Sequence, residues 1–152
     1  MPIVHIRGCD DSERSKWLPW WEHLHSEGAG AGKAGPAEPF AAEKDGEPVF
    51  IKHTYDVFLS GDTSASLLAH LASQNITRLF ICGVLTKACV GFSANSAFTL
   101  GFEVYIVEDC CADRSRAHHD AYISLYDGYH IRVCRHDAVI SFETDTIPER
   151  QE

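Results

Sequence analysis

The chain has 152 residues, 45% of them hydrophobic and 23% charged, the make-up of one ordinary globular domain that buries about two thirds of its unfolded surface. Its 13 Lys and Arg against 22 Asp and Glu leave a net charge of −9, which argues against nucleic acid and against an anionic membrane as partners. No apolar run approaches the ~20 residues that cross a bilayer and no secretory leader opens the chain, so a cytoplasmic protein is expected. The cysteines stand at positions 9, 82, 89, 110, 111 and 134. Their spacing holds no repeated CxxC pair, and several lie in or beside apolar, strand-like segments. Reduced thiols fit this better than a disulfide framework or a zinc site.

Pro2 to Ile6 (PIVHI) reads as a buried strand. A domain seldom starts on a core strand at its second residue, so a preceding segment is expected; the alternative is a strand at a sheet edge. Gly8 to Asp11 turns the chain. Trp17, Trp20 and Trp21 then either wall an aromatic pocket or staple a loop to the core. His23 and His25 have no carboxylate or third histidine at ligand spacing and read as solvent-facing side chains. Gly28 to Pro48, rich in Gly, Ala, Glu and Pro, is expected to be a long surface loop, a length often found in active-site lids. Val49 to Ile51 is a second strand. It ends at Lys52, a cation that is costly there unless it is paired or functional, with Asp56 within reach as a structural partner. Asp62 is expected to cap a helix with Leu67, Leu68, Leu71 and Ala72 on one face, and Asn75 ends it.

Arg78 to Asp109 organises the rest. Leu79 to Ile81 is a strand, Gly83 breaks it, and Thr86 caps a helix that places Cys89 in its first turn. A thiol near the positive end of a helix dipole favours the thiolate, the nucleophilic form; the alternative is a small buried hydrophobe. Val90, Ala94, Ala97 and Phe98 face inward, and Gly101 stops the helix. Val104 to Val107 forms the next strand, ending in Glu108 and Asp109. Ser115 to Tyr126 is a helix with an apolar stripe of Ala117, Ala121, Tyr122 and Leu125, and Gly128 stops it. Ile131 to Cys134 is the last strand, and the acidic tail from Glu143 is expected to fray. Alternating strands and helices joined by right-handed crossovers give an α/β fold, a parallel sheet with helices on both faces. Ligands bind such sheets outside the carboxyl ends of the strands, where Lys52, the Val84–Cys89 turn and Asp109 are all predicted to lie.

These residues are familiar in combination. ICGVLTKACV resembles the GVxTxxCV signature of the isochorismatase-like cysteine hydrolases. PVFIKHTYDVF, AFTLGFEVYIVEDCCA and PIVHIR extend the similarity in the same segment order over nearly the whole chain. The resemblance implies a three-layer, Rossmann-like fold and a Cys–Asp–Lys triad acting on amide-like bonds of a small molecule, without a cofactor. By motif position Cys89 is similar to the family nucleophile and Lys52 to the family lysine. The Val84–Leu85 bond matches the family's cis peptide, which would aim the backbone N–H groups of Leu85 and Cys89 at a developing oxyanion. Members that cleave the vinyl ether of isochorismate usually lack the cysteine, so the resemblance favours amidase-type chemistry.

The chain departs from the family pattern in three ways. Lys87 stands where a small polar residue is common. Nothing matches the family's first strand, central in the sheet, whose end carries the catalytic Asp; Asp10 and Asp11 are the nearest stand-ins. The histidine-rich ligand set of metal-dependent members is also unmatched, so no metal is expected. Residues 1–152 thus read as a single, N-terminally incomplete hydrolase domain that self-associates into a homo-oligomer. The competing reading is a catalytically silent relative serving as a ligand-binding or oligomerisation module. A nucleotide-binding domain is disfavoured, because GVLTKACVG has neither a GxGxxG fingerprint nor Walker lysine spacing.

Overall fold

The short apolar runs of the sequence become strands, and all of their pairings are parallel. With the helices between them in the chain, this is an α/β fold. The computed structural model describes residues 1–8, 39 and 42–142. Its contacts divide the chain into two units, Pro2–Asn75 and Ile76–Glu152 with Met1.

In the first unit β1 (His5–Gly8) pairs with β2 (Val49–Lys52) in the register His5↔Val49 to Gly8↔Lys52. The strand starts later than the apolar run PIVHI predicts, where the His5 N–H donates to Pro48 O at 2.9 Å. It alternates half-buried and exposed residues rather than being buried throughout. His5 and Arg7 on its half-buried face meet Glu47 and Glu43. A 3-10 turn, Val57–Leu59, and helix α1 (Asp62–Ser73) follow. Among the described residues of this unit, Val57, Phe58, Leu67 and Leu71 are the buried apolar side chains. Gly61, at φ 57°, is the residue preceding α1, and Asp62 is its first helical residue rather than the expected cap. Only glycine adopts such a φ cheaply, and a carboxylate in the first turn still complements the helix dipole. Thr63 Oγ1 donates to Ile51 O at 2.6 Å, tying α1 to β2.

The second unit is a sheet of order β3-β4-β5, formed by Arg78–Val84, Glu103–Ala112 and Arg132–Cys134. Its middle strand buries Val104, Tyr105, Ile106 and Val107 in succession, as a strand with neighbours on both edges does. Gly83 does not break β3 as expected. It lies inside the strand at φ 119°, where the register with β4 shifts. A five-residue π turn, Thr86–Val90, runs directly into α2 (Gly91–Thr99), which presents the fully buried Ala94 and Ala97. Gly101, at φ 94°, follows the end of α2 as the sequence suggests.

Helix α3 (Arg116–Tyr126) is capped by Ser115, whose side chain accepts from the His118 N–H. Its inward face differs from the expected stripe. Ala117, Ala121 and Leu125 are exposed, whereas His119 is buried and Tyr122, Ile123 and Tyr126 are half-buried. A short helix, α4 (His136–Phe142), was not legible in the sequence. Asp109 holds its start, accepting from the His136 N–H at 2.9 Å and pairing with the His136 ring at 2.5 Å. Among the described residues no helix is long and apolar enough to cross a membrane.

Candidate active site

Cys89 sits half-buried in the π turn that begins two residues beyond the end of β3. The Val84–Leu85 peptide bond just before this turn is cis. The Leu85 carbonyl accepts from two N–H groups, Ala88 at 3.1 Å and Val90 at 3.2 Å, and so winds the turn on one acceptor. Single π turns at the head of a longer helix recur at functional sites.

Thr86 does not cap this helix. Leu85 is the capping residue, without a side-chain bond, and Thr86 lies inside the turn, completely buried. Its hydroxyl shares a 2.9 Å hydrogen bond with Nδ1 of buried His119 on α3. Lys87 is exposed, places Nζ 2.8 Å from His118 Nδ1 and donates its backbone N–H to Asp113 Oδ2 at 2.9 Å. Burial alone would raise the Asp113 carboxyl. The N–H groups of Lys87 and Arg114, with the charges of Lys87 and His118, hold it below the ordinary range instead.

Three other thiols of this unit are shifted away from the thiolate form. Burial pushes the Cys111 thiol up to about 12 and raises Cys82 and Cys134 in the same direction. These three carry little thiolate at neutral pH. All five described cysteines are free. Among the described residues no group of three or more His, Cys, Asp and Glu is placed to hold a metal ion.

Lys52 belongs to the first unit. It is buried at the last position of β2, and its Nζ donates to Thr54 O at 2.8 Å. Asp56, the structural partner suggested for it, is buried and uses Oδ1 to accept from the Phe58 N–H, capping the 3-10 turn. Asp109 is interior to β4 rather than at its end, and its carboxylate is engaged by His136 and Arg135. Asp10, Asp11, Trp17, Trp20 and Trp21, as well as His23, His25 and the tail from Glu143, lie outside the described residues.

A family model described as the isochorismatase domain matches residues 1–138. The chain belongs to the isochorismatase family. It is 30% identical over 113 residues to an uncharacterised isochorismatase family protein, YecD, of Escherichia coli O157:H7, a match covering 73% of this chain and 50% of that protein. The chain thus spans about half the length of this curated relative. Among solved structures it is similar to an isochorismatase-like hydrolase from Alkaliphilus metalliredigens, with a TM-score of 0.77 at 19% identity, covering 93% of this chain and 73% of the other. It is also similar to N-carbamoylsarcosine amidase from Thermoplasma acidophilum, with a TM-score of 0.68 at 21% identity, covering 89% and 72%. At these identities the structures show a shared fold.

Sequence reasoning missed three residues around the turn that holds Cys89 in this isochorismatase-family chain: Asp113, His118 and His119. The available signal was the spacing of His119, Tyr122, Ile123 and Tyr126, a helix face of rings and a branched aliphatic. Two alanines and a leucine at four-residue intervals imitated a stripe beside it and set the wrong phase.

Proposed function

We propose that this isochorismatase-family chain is a cysteine hydrolase that cleaves an amide or related C–N bond of a small molecule. Cys89 Sγ attacks the carbonyl carbon, the C–N bond breaks, the leaving nitrogen takes up a proton, and a thioester-type intermediate remains for water to hydrolyse. The backbone N–H groups of Leu85 and Cys89 are the proposed donors to the oxyanion. Lys52 is assigned the electrostatic role of favouring the charged form of the thiolate or of the carboxylate that takes its proton. The observation that carries the reading is the position of Cys89, half-buried in a π turn beyond the carboxyl end of a parallel strand, in a chain of this family. The name of the amidase among its structural relatives lends the C–N chemistry a precedent.

Alkylation tests the nucleophile directly. Limiting iodoacetamide at neutral pH should modify Cys89 faster than a free thiol and well ahead of Cys82, Cys111 and Cys134, whose thiols are held protonated. Lys52→Met should slow that reaction. In an ammonia-release screen over small primary amides, Cys89→Ala should abolish whatever turnover the parent chain shows. Reaction of Cys89 no faster than a free thiol removes the activated nucleophile from the proposal.

A further inference from the structure

A buried hydroxyl and a buried imidazole are an expensive choice for the contact between α3 and the nucleophile turn. Each costs on the order of 1–3 kcal/mol to desolvate unless it finds a partner, and two aliphatic side chains of like volume carry no such cost. Thr86 is 0% exposed and His119 7% exposed, and each supplies the other's hydrogen bond at 2.9 Å. What the pair provides that aliphatic packing cannot is direction. A hydrogen bond fixes the rotation of Thr86, and Thr86 opens the turn that contains Cys89. The turn has no side-chain cap of its own, so its orientation is set from outside.

The outside support comes from one stretch of chain after β4. Asp113 Oδ2 accepts the N–H of Lys87, the residue next to Thr86, and Asp113 Oδ1 accepts the N–H of Arg114. Ser115 then starts α3, and its hydroxyl fixes the first turn through the His118 N–H, one residue before His119. Adjacent residues of the nucleophile turn are thereby gripped by two acceptor-donor contacts. One runs through the Thr86 side chain and the other through the Lys87 backbone.

We propose that His119, through Thr86, is a positioning residue for Cys89, with Asp113 as the second point of attachment. The inference rests on Cys89 being the nucleophile. In this scheme His119 acts through Thr86 rather than on the substrate. It sets the angle at which the first turn presents Sγ and the Cys89 N–H. A reacting group misplaced by about an ångström loses on the order of 10²-fold in rate, so the pair acts on reactivity beyond its contribution to folding.

The test separates position from stability. Iodoacetamide rates at individual cysteines are followed by peptide mass spectrometry on the whole chain, alongside the melting temperature. Thr86→Val removes the hydroxyl at constant shape, and His119→Phe removes the partner. Each should slow alkylation of Cys89 by on the order of 10-fold or more while the exposed Cys110 keeps its rate as an internal control. Thr86→Ser and His119→Asn keep a hydrogen-bonding group at the same places. Both should recover most of the Cys89 rate, and they remain informative should the first pair fold poorly. A melting temperature lowered in Thr86→Val with the Cys89 rate unchanged overturns the proposal and leaves the pair a core contact. If Cys89 of the parent chain is itself no faster than Cys110, the nucleophile reading fails first and the positioning role falls with it.

Discussion

Gly91, two residues after Cys89, shows how tightly the start of α2 is packed at the level of one residue. A Cβ there would come within 2.7 Å of Cε2, Cζ and Oη of Tyr122. The ring has little freedom to retreat, because it stacks on Tyr126 at a centroid distance of 4.6 Å and its hydroxyl accepts from Asn95 Nδ2 at 3.3 Å. Asn95 also donates to Gly91 O at 2.7 Å, so moving the ring disturbs the same turn of helix. Two effects compete in Gly91→Ala. Helix propensity favours Ala by up to about 1 kcal/mol, whereas overpacking costs about 1–3 kcal/mol. The second is the larger here, and Gly91→Ala should lower stability in urea titration. In a Tyr122→Ala background the obstruction is gone and the sign should reverse, with Gly91→Ala stabilising. The same sign in both backgrounds would mean that the ring is not what keeps residue 91 small.

Among the elements, the three strands of the second sheet are tied at their first residues by Glu103. Its carboxylate receives Arg78 Nε at 2.7 Å from β3 and Arg132 Nη1 at 2.6 Å from β5, and Tyr105 Oη donates to it at 2.9 Å. Partial burial would raise the Glu103 carboxyl. The bonds from Arg78 and Tyr105 and the charges of both arginines outweigh it and hold the group below its ordinary value of 4.5. A carboxyl depressed in the folded state contributes stability above its unfolded value and loses it as pH falls through the folded value. Glu103→Gln should therefore be less stable than the parent at neutral pH, by no more than about 1 kcal/mol for each partly exposed ion pair. The difference should shrink as pH drops below 4.5. A gap that stays constant into acid would place the effect in packing rather than charge.

The same sheet shows what the sequence makes legible and what it hides. The order strand, turn, helix and strand from Arg78 to Asp109 could be read because local features dictate it, namely a short apolar run and a glycine where φ turns positive after α2, although β4 runs on to Ala112. The lysine and the cysteine could be read as candidates from their places along the chain alone. What failed depends on partners far along the chain. The inward face of α3 is settled by His119 meeting Thr86, 33 residues away, and by stacked tyrosine rings that bury more area than alanines. Helix α4 is started by Asp109, 27 residues before its first residue. The start of β1 is fixed by its register with β2 rather than by where its apolar run begins.

At the scale of the whole molecule the two candidate catalytic side chains follow sheets of unequal strand number among the described residues. Cys89 follows β3, whose neighbour β4 is paired on both edges and buries four successive side chains, Val104 to Val107. Lys52 ends β2, whose sheet has only two strands among the described residues. Two-stranded sheets are marginal in water without further packing, and β2 gains it from α1 through the bond of Thr63 to Ile51. β1 pairs with β2 along one edge, exposes Ile6 and Gly8, and anchors His5 and Arg7 to Glu47 and Glu43. Partly exposed pairs of this kind contribute about 1 kcal/mol or less. Local opening should accordingly cost least in β1, more in β2 and most in β4. Native-state hydrogen exchange should show that order, with the amides of Tyr105 to Val107 exchanging only through global unfolding and those of Ile6 and Arg7 through a much smaller opening. Equal protection of β1 and β4 would contradict that order.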